Sequence, residues 1–252
     1  MINIVRLPAF EDNYLWIIRH GSEAWAIDPG DADVVSAYLD EHHLALVGIL
    51  LTHRHPDHTG GVESLLQEFP HTPVWGSTIG LCGISNPVVE GQIIDVFDMR
   101  FEVMHLPGHV DDHVAYYCAY PDPLLFCGDI LFMAGCGRNM EGTAGAFQTS
   151  LARISALPPE TLIYCAHEYT LDNLKFARHL MPNNQAVADR FARVTEARAR
   201  DEATVPGALE IEFHTNPFLR LDDAEVMSSL SLTHSMSPAT RFRAVRLAKD
   251  KF

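Results

Sequence analysis

Thr52-His53-Arg54-His55-Pro56-Asp57-His58-Thr59-Gly60-Gly61 brings three imidazoles and a carboxylate together on one short stretch. Residues two apart on an extended chain point the same way, so His53 and His55 lie side by side and can grip one cation. Asp57 and His58 follow Pro56 and turn toward a second cation. Such a cluster has no good structural role, because buried polar groups without partners are costly. Imidazole with carboxylate suits zinc, iron or manganese. A hydrolytic site of this kind needs three or more protein ligands and an open position for water. Two ions about 3.5–4 Å apart clamp the reacting oxygens and usually share a carboxylate.

The cluster follows Val47–Thr52, an apolar run that reads as a buried strand. Ile2–Leu7, Leu15–Arg19 and Ala24–Asp28 read as strands before it. Asp33–His42 reads as a helix capped by Asp31, and Gly61–Phe69 as a helix stopped by Pro70. Phe101–Leu106, Val114–Cys118, Leu124–Cys127 and Leu162–Cys165 are further strands. His53, His109, Asp129 and His167 therefore each follow a strand end, where loops at one rim of a sheet can gather distant residues. Asp129, beside Gly128, is the natural carboxylate to stand between two ions. His105, His109 and His113 are spaced too alike for spacing to choose among them, and Asp28 before Pro29-Gly30 reads as a turn residue. Leu171–Leu180, Gln185–Glu202, Asp222–Leu230 and Pro238–Lys249 read as helices, giving a smaller helical C-terminal region.

A length of 252 residues accommodates one large domain or two unequal ones. The net charge of −15 argues against nucleic acid as a partner, since phosphate binding needs clustered Lys and Arg. No basic leader precedes an apolar run, and no apolar stretch is long enough to span a bilayer. Five cysteines without a close pair fit reduced thiols in a cytoplasmic protein, each a small buried hydrophobe. Cys165 precedes His167 by two, but beside so many metal ligands it is read as core rather than nucleophile. From residue 241 to the end, Arg241, Arg243, Arg246, Lys249 and Lys251 stand against Asp250 alone. Arg246 and Lys249 are neighbours on a helix face. On charge alone this is a helix end favoured by the dipole. Arg190, Arg193, Arg198 and Arg200 read as the solvent-facing side of a mixed-charge helix.

The His-x-His-x-Asp-His cluster resembles the metallo-β-lactamase superfamily. Nearly the whole chain resembles one branch, the hydroxyacylglutathione hydrolases. The resemblance is carried by Asp12-Asn13-Tyr14, Leu106-Pro107-Gly108-His109, Cys127-Gly128-Asp129-Ile130-Leu131-Phe132, Gly135-Cys136-Gly137-Arg138, Tyr164-Cys165-Ala166-His167-Glu168-Tyr169, Asn216-Pro217-Phe218-Leu219-Arg220 and the basic tail. It implies an α/β fold, an αββα sandwich over residues 1–168, with a helical substrate-binding domain over 169–252. It implies two divalent ions per chain, zinc before iron or manganese. One is held by His53, His55 and His109, the other by Asp57, His58 and His167, with Asp129 bridging. Asp57 and Asp129 are then the catalytic carboxylates, acting as ligands. Arg138, Tyr169, Arg246 and Lys249 hold glutathione. Met140 stands where the family often carries an aromatic side chain. The implied reaction is hydrolysis of S-2-hydroxyacylglutathione by a monomer. The alternatives on this scaffold are a lactonase, a β-lactamase or an iron-dependent persulfide dioxygenase.

Overall fold

The computed structural model describes residues 1–77 and 83–252; Cys82, read above as a buried hydrophobe, lies outside them. The chain forms two compact units. The first comprises Met1–His105, Asp112–Asp122 and Phe126–Gly128, and the second Leu106–Asp111, Pro123–Leu125 and Asp129–Phe252.

The first unit begins with three antiparallel strands, β1 (Asn3–Ala9), β2 (Asn13–His20) and β3 (Glu23–Ile27). The central strand β2, Asn-Tyr-Leu-Trp-Ile-Ile, is buried along its first six residues, as a strand covered on both faces must be. Helix α1 (Ala32–His42) starts at Asp31, whose carboxylate accepts from the Asp33 and Val34 N–H groups at 3.0 and 3.3 Å. It ends at His43 in the left-handed conformation. Strand β4 (Ala45–Leu50) runs parallel to β3 and delivers the chain into the histidine cluster. The cluster itself contains a short helix that was not expected, α2 (Pro56–Thr59), with proline at its start, and the helix expected over Gly61–Phe69 is α3 (Val62–Glu68). Strands β5 (Val74–Gly76) and β6 (Asn86–Pro87) complete the six-stranded sheet in the order β1 to β6. Leu15, Ile17, Ala26, Val35, Leu39, Ile49 and Leu65 form the centre of this unit's apolar core. Strands β7 (Ile93–Val96), β8 (Met99–His105) and β9 (Val114–Cys118) form antiparallel neighbours in a second sheet. Strand β10 (Leu124–Gly128) divides between the units, its last three residues counting with the first.

The second unit contains a short hairpin, β11 (Leu131–Phe132) and β12 (Gly135–Cys136), then α4 (Ala144–Ser155), capped by Thr143. Strand β13 (Leu162–Cys165) follows, and five further helices come after it: α5 (Thr170–Leu180), α6 (Gln185–Arg198), α7 (Leu209–Thr215), α8 (Ala224–Ser229) and α9 (Pro238–Lys249). Strand β14 (Gly207–Ala208) returns between α6 and α7 to pair with β13. Phe147 of α4, Phe242 of α9, Phe218 and Phe176 of α5 stack in series, with ring centroids 5.1 to 6.3 Å apart. The sequence pattern extended α6 to Glu202, whereas the helix closes at Arg198. Arg190 corrects the expectation of a wholly solvent-facing row: it is buried, and its guanidinium meets the fully buried Glu212 carboxylate at 2.6 Å. Arg193 and Arg200 are exposed as expected, and Arg198 is half-buried. Cys118, Cys127, Cys136 and Cys165 are buried free thiols.

Candidate metal centre

The first unit carries four of the seven expected ligands. His53 to His55 follow a bend after β4, with His55 extended, and the two rings converge, with His53 Nε2 and His55 Nδ1 3.0 Å apart. The His53 and His58 ring centroids are 4.0 Å apart. The start of α2 turns Asp57 and His58 together, His58 Nε2 lying 3.5 Å from Asp57 Oδ2. Ring nitrogens gathered this closely beside a carboxylate are the donor set of a borderline-soft divalent cation.

The partners behind these ligands assign their tautomers. Asp28 is buried, and its carboxylate accepts from the Thr52 N–H at 2.7 Å, the Thr52 hydroxyl at 2.6 Å and His58 Nδ1 at 2.9 Å. With its Nδ1 donating, His58 keeps the Nε2 lone pair that faces Asp57. Thr52 Oγ1, having donated its proton to Asp28, accepts from His53 Nδ1 at 3.1 Å, and His53 Nε2 is likewise left as an acceptor. One buried carboxylate thus prepares two imidazoles for metal binding. Asp28 has a left-handed φ of +50°, which aspartate tolerates. Gly30 follows because Asp57's backbone lies against it; a Cβ there would sit 1.8 Å from the Asp57 carbonyl oxygen. Asn13 Nδ2 donates to Asp57 Oδ2 at 3.0 Å, which gives the Asp12-Asn13-Tyr14 motif a task.

The second unit carries the other three. Asp129 directly follows β10 and is buried, as are His109 and His167. Its two oxygens face different histidines: Oδ2 lies 3.5 Å from His109 Nε2, and Oδ1 lies 3.4 Å from His167 Nε2. Each oxygen of this carboxylate thus faces one imidazole. His109 Nδ1 donates to the Arg138 carbonyl at 2.9 Å, so here too Nε2 is the acceptor. The His109 carbonyl accepts the Met140 N–H at 3.1 Å, which turns that backbone donor inward, while the Met140 side chain is exposed. His105 is exposed at the end of β8, and the buried His113 stacks on His53 at 4.9 Å; both belong to the first unit. The His167 ring lies flat on Tyr169, 4.7 Å apart and 5° from parallel, and Phe132 meets both edge-on.

The remaining expected substrate contacts also lie in the second unit. Arg138 is exposed. Arg246 is buried and its donors are engaged: with the Cys136 and Gly137 carbonyls at 3.0 and 3.3 Å, with Asp250 at 2.9–3.0 Å, and over the Phe218 ring at 5.0 Å. Lys249 Nζ donates to the Asp172 carbonyl at 3.1 Å between the Phe176 and Phe252 rings. Burial, followed by the neighbouring Arg246 charge, holds its pKa below the usual lysine value. A cavity of about 460 Å³ opens beside α9, lined by Asn139, Thr143, Arg243, Arg246 and Leu247 among others. Burial pushes the Cys165 thiol up to about 12, so it offers no thiolate nucleophile near neutral pH.

Comparison with known proteins decides the family. Residues 11–81 and 83–167 match the metallo-beta-lactamase superfamily, and residues 168–252 match the hydroxyacylglutathione hydrolase C-terminus. Hydroxyacylglutathione hydrolases of Pseudomonas paraeruginosa and Hahella chejuensis are 43% and 44% identical, each over the whole of both chains. The chain belongs to the hydroxyacylglutathione hydrolase family. Among solved structures, the B3 metallo-beta-lactamase BLEG-1 is similar with a TM-score of 0.65 at 22% identity, covering 86% of this chain and 100% of its own. TTHA1623, solved in a di-iron-bound form, is similar at 0.62 and 26%, with 86% and 100% coverage. The family's fold is the expected metallo-β-lactamase fold of mixed sheets and helices with a helical C-terminal region. Among the described residues, no helix is long and apolar enough to cross a membrane. Sequence reading missed Asp28, Thr52 and Asn13 as partners of the ligands. Their signal was position: Asp28 directly follows β3 and Thr52 comes just after β4, and these two strands are adjacent in the sheet.

Proposed function

We propose that this chain hydrolyses S-2-hydroxyacylglutathione thioesters, S-lactoylglutathione giving lactate and glutathione in the second step of methylglyoxal detoxification. The supporting observation is Asp129 offering its two oxygens to two different histidines, in a chain that hydroxyacylglutathione hydrolases match end to end. The two ligand sets together hold two divalent ions, zinc before iron or manganese. His53, His55 and His109 would hold one and Asp57, His58 and His167 the other, with Asp129 as the carboxylate available to both. When bound, such a pair lowers the pKa of a coordinated water toward about 7 and polarises a carbonyl oxygen.

The chain's own residues supply the rest. Asp28, Thr52 and the Arg138 carbonyl keep the imidazole protons on the nitrogens turned away from the ions. Tyr169 and Phe132 fix the His167 ring plane. The leaving thiol, with a pKa near 8.5, departs as thiolate without a general acid. Asp57 and Asp129 serve as ionised ligands. Arg138, Tyr169 and Lys249 take the glutathione moiety with its two carboxylates, and Arg246 contributes charge from a fixed position. Residues 1–168 form the catalytic domain and 169–252 the substrate-binding one, and the enzyme acts as a cytoplasmic monomer.

Mixing purified protein with S-lactoylglutathione and following thioester loss tests the reading. Turnover that chelation abolishes and zinc restores is expected. Absence of metal-dependent thioester loss rejects it, and oxygen uptake with glutathione persulfide at one iron per chain would assign the dioxygenase alternative instead.

A further inference from the structure

Asp129 and Arg138 are the two ends of one segment, and both act on His109: the Asp129 carboxylate faces its Nε2 and the Arg138 carbonyl takes its Nδ1 proton. Gly137 packs the segment onto itself, since a Cβ there would lie 1.9 Å from the Asp129 carbonyl oxygen. Between the ends, the hairpin has only two residues per strand, paired Leu131 with Cys136 and Phe132 with Gly135. So short a hairpin does not support itself. Ala134 at its tip has a left-handed φ of +58°.

Side chains from the helical region hold this hairpin residue by residue. Asn173 of α5 donates to the Met133 carbonyl at 3.1 Å. Glu212 of α7 accepts the Ala134 N–H at 2.6 Å. Asn216 donates to the Gly135 carbonyl and to the same Glu212 oxygen, both at 2.9 Å. Arg246 of α9 donates to the Cys136 and Gly137 carbonyls. Glu212 is the centre of this clamp. It is fully buried, and Arg190 of α6 neutralises its other oxygen while also donating to Thr215. Apolar residues would fill such a space as stably as a buried ion pair. What they would lack is directional acceptance of the Ala134 and Asn216 donors.

We infer that Glu212, with Arg190 as its counter-ion, is a positioning residue for metal binding: through the clamped hairpin it sets the place of the Asp129 carboxylate and of the carbonyl that orients His109. The inference rests on the metal-centre reading above. Its consequence is that helices carrying none of the ligands govern metal affinity.

The test replaces both charges with volume-matched apolar side chains, Arg190→Met with Glu212→Met, which leaves no unpaired buried charge. Zinc affinity of the folded protein is measured by competition with a chromophoric chelator, alongside the thermal midpoint of the zinc-free form and thioester kinetics. The expected result is a zinc dissociation constant raised about tenfold or more, the scale of losing an outer partner of a ligand. The zinc-free midpoint falls by several degrees, because the buried Ala134 N–H loses its acceptor, and the folded variant's kcat at limiting zinc falls while KM holds within about twofold. Asn173→Leu, which removes the donor to Met133, is the second variant, with an expected rise smaller than that of the double variant. A folded double variant that binds zinc like the parent overturns the inference; should it not fold, Asn173→Leu with the parent's zinc affinity overturns it. A parent protein that binds no zinc or other divalent ion refutes the metal-centre reading, and the inference falls with it.

Discussion

Asp28→Asn is the sharpest single perturbation of the site, because it changes which atoms carry protons and almost nothing else. Asp28 Oδ1 accepts the Thr52 N–H, and Oδ2 accepts both the Thr52 hydroxyl and His58 Nδ1. An asparagine can keep its oxygen toward the Thr52 N–H only by turning its NH2 group to His58 and the Thr52 hydroxyl. His58 Nδ1 must then accept, which moves the ring proton to Nε2, the nitrogen facing Asp57. A protonated Nε2 cannot bind a cation. The opposite amide orientation sets NH2 against the Thr52 N–H, donor against donor, in a buried site. Losing the outer partner of a ligand costs about 10- to 100-fold in metal affinity or activity, or about 1.4–2.7 kcal/mol. A buried donor left unpaired costs a further 1–3 kcal/mol or so of fold stability, which for a chain of this size lowers the thermal midpoint by roughly 2–4 °C per kcal/mol. Chelator competition reads the first number and thermal unfolding the second. Activity of the variant should recover when zinc is raised in proportion to the lost affinity. A variant that binds zinc within twofold of the parent refutes the tautomer argument, whatever its stability.

The other predictions concern separate parts of the site. Asp57→Ala reduces the divalent ions from two to one per chain and lowers turnover by roughly two orders of magnitude, the scale of losing one charge-stabilising partner; elemental analysis with thioester kinetics checks both. Arg246→Ala lowers kcat as well as raising KM, because the Cys136 and Gly137 carbonyls lose their donor. The same change removes about 2–3 kcal/mol of stability, as expected for hydrogen bonds from a buried charge, and a KM effect alone with an unchanged melting point would contradict this. The Cys136 and Cys165 thiols are held up to about 12 by burial. Unfolded thiols ionise near 9 while the folded ones stay protonated, so their stabilising contribution is full below pH 9 and falls as pH rises toward 12. The thermal midpoint should drop across that window, and less steeply in Cys165→Ala; equal slopes would show that the thiol is not the cause.

Much of the fold was legible because its signals were local. Val114–Cys118 and Leu162–Cys165 are apolar runs bounded by turn residues, and β9 and β13 have those limits. Pro238–Lys249 carries its own start signal in Ser237-Pro238, and α9 spans it exactly as a capped helix should. Helix α4 escaped because Gly145, Thr149 and Ser150 dilute its pattern; what sets it is the Thr143 cap and burial of Phe147, Leu151 and Ile154. The β11–β12 hairpin has too few residues to show any period, and tertiary hydrogen bonds hold it. Among the site residues, the cluster at 53–58 declared itself through density of ligand chemistry. Asp28 did not, because a turn aspartate before Pro-Gly looks the same whether or not an imidazole lies against it. Arg190 failed for a related reason: a mixed-charge helix gives no sign of which cation will find a buried carboxylate.

The proposed thioester hydrolysis requires two ions per chain with Asp129 as a ligand. Metal-free protein titrated with zinc, with bound metal and S-lactoylglutathione hydrolysis followed together, tests it most directly. Activity should rise to saturation at two equivalents per chain, and Asp129→Asn should break that stoichiometry. Full hydrolysis at one equivalent, or with none bound, would contradict the account.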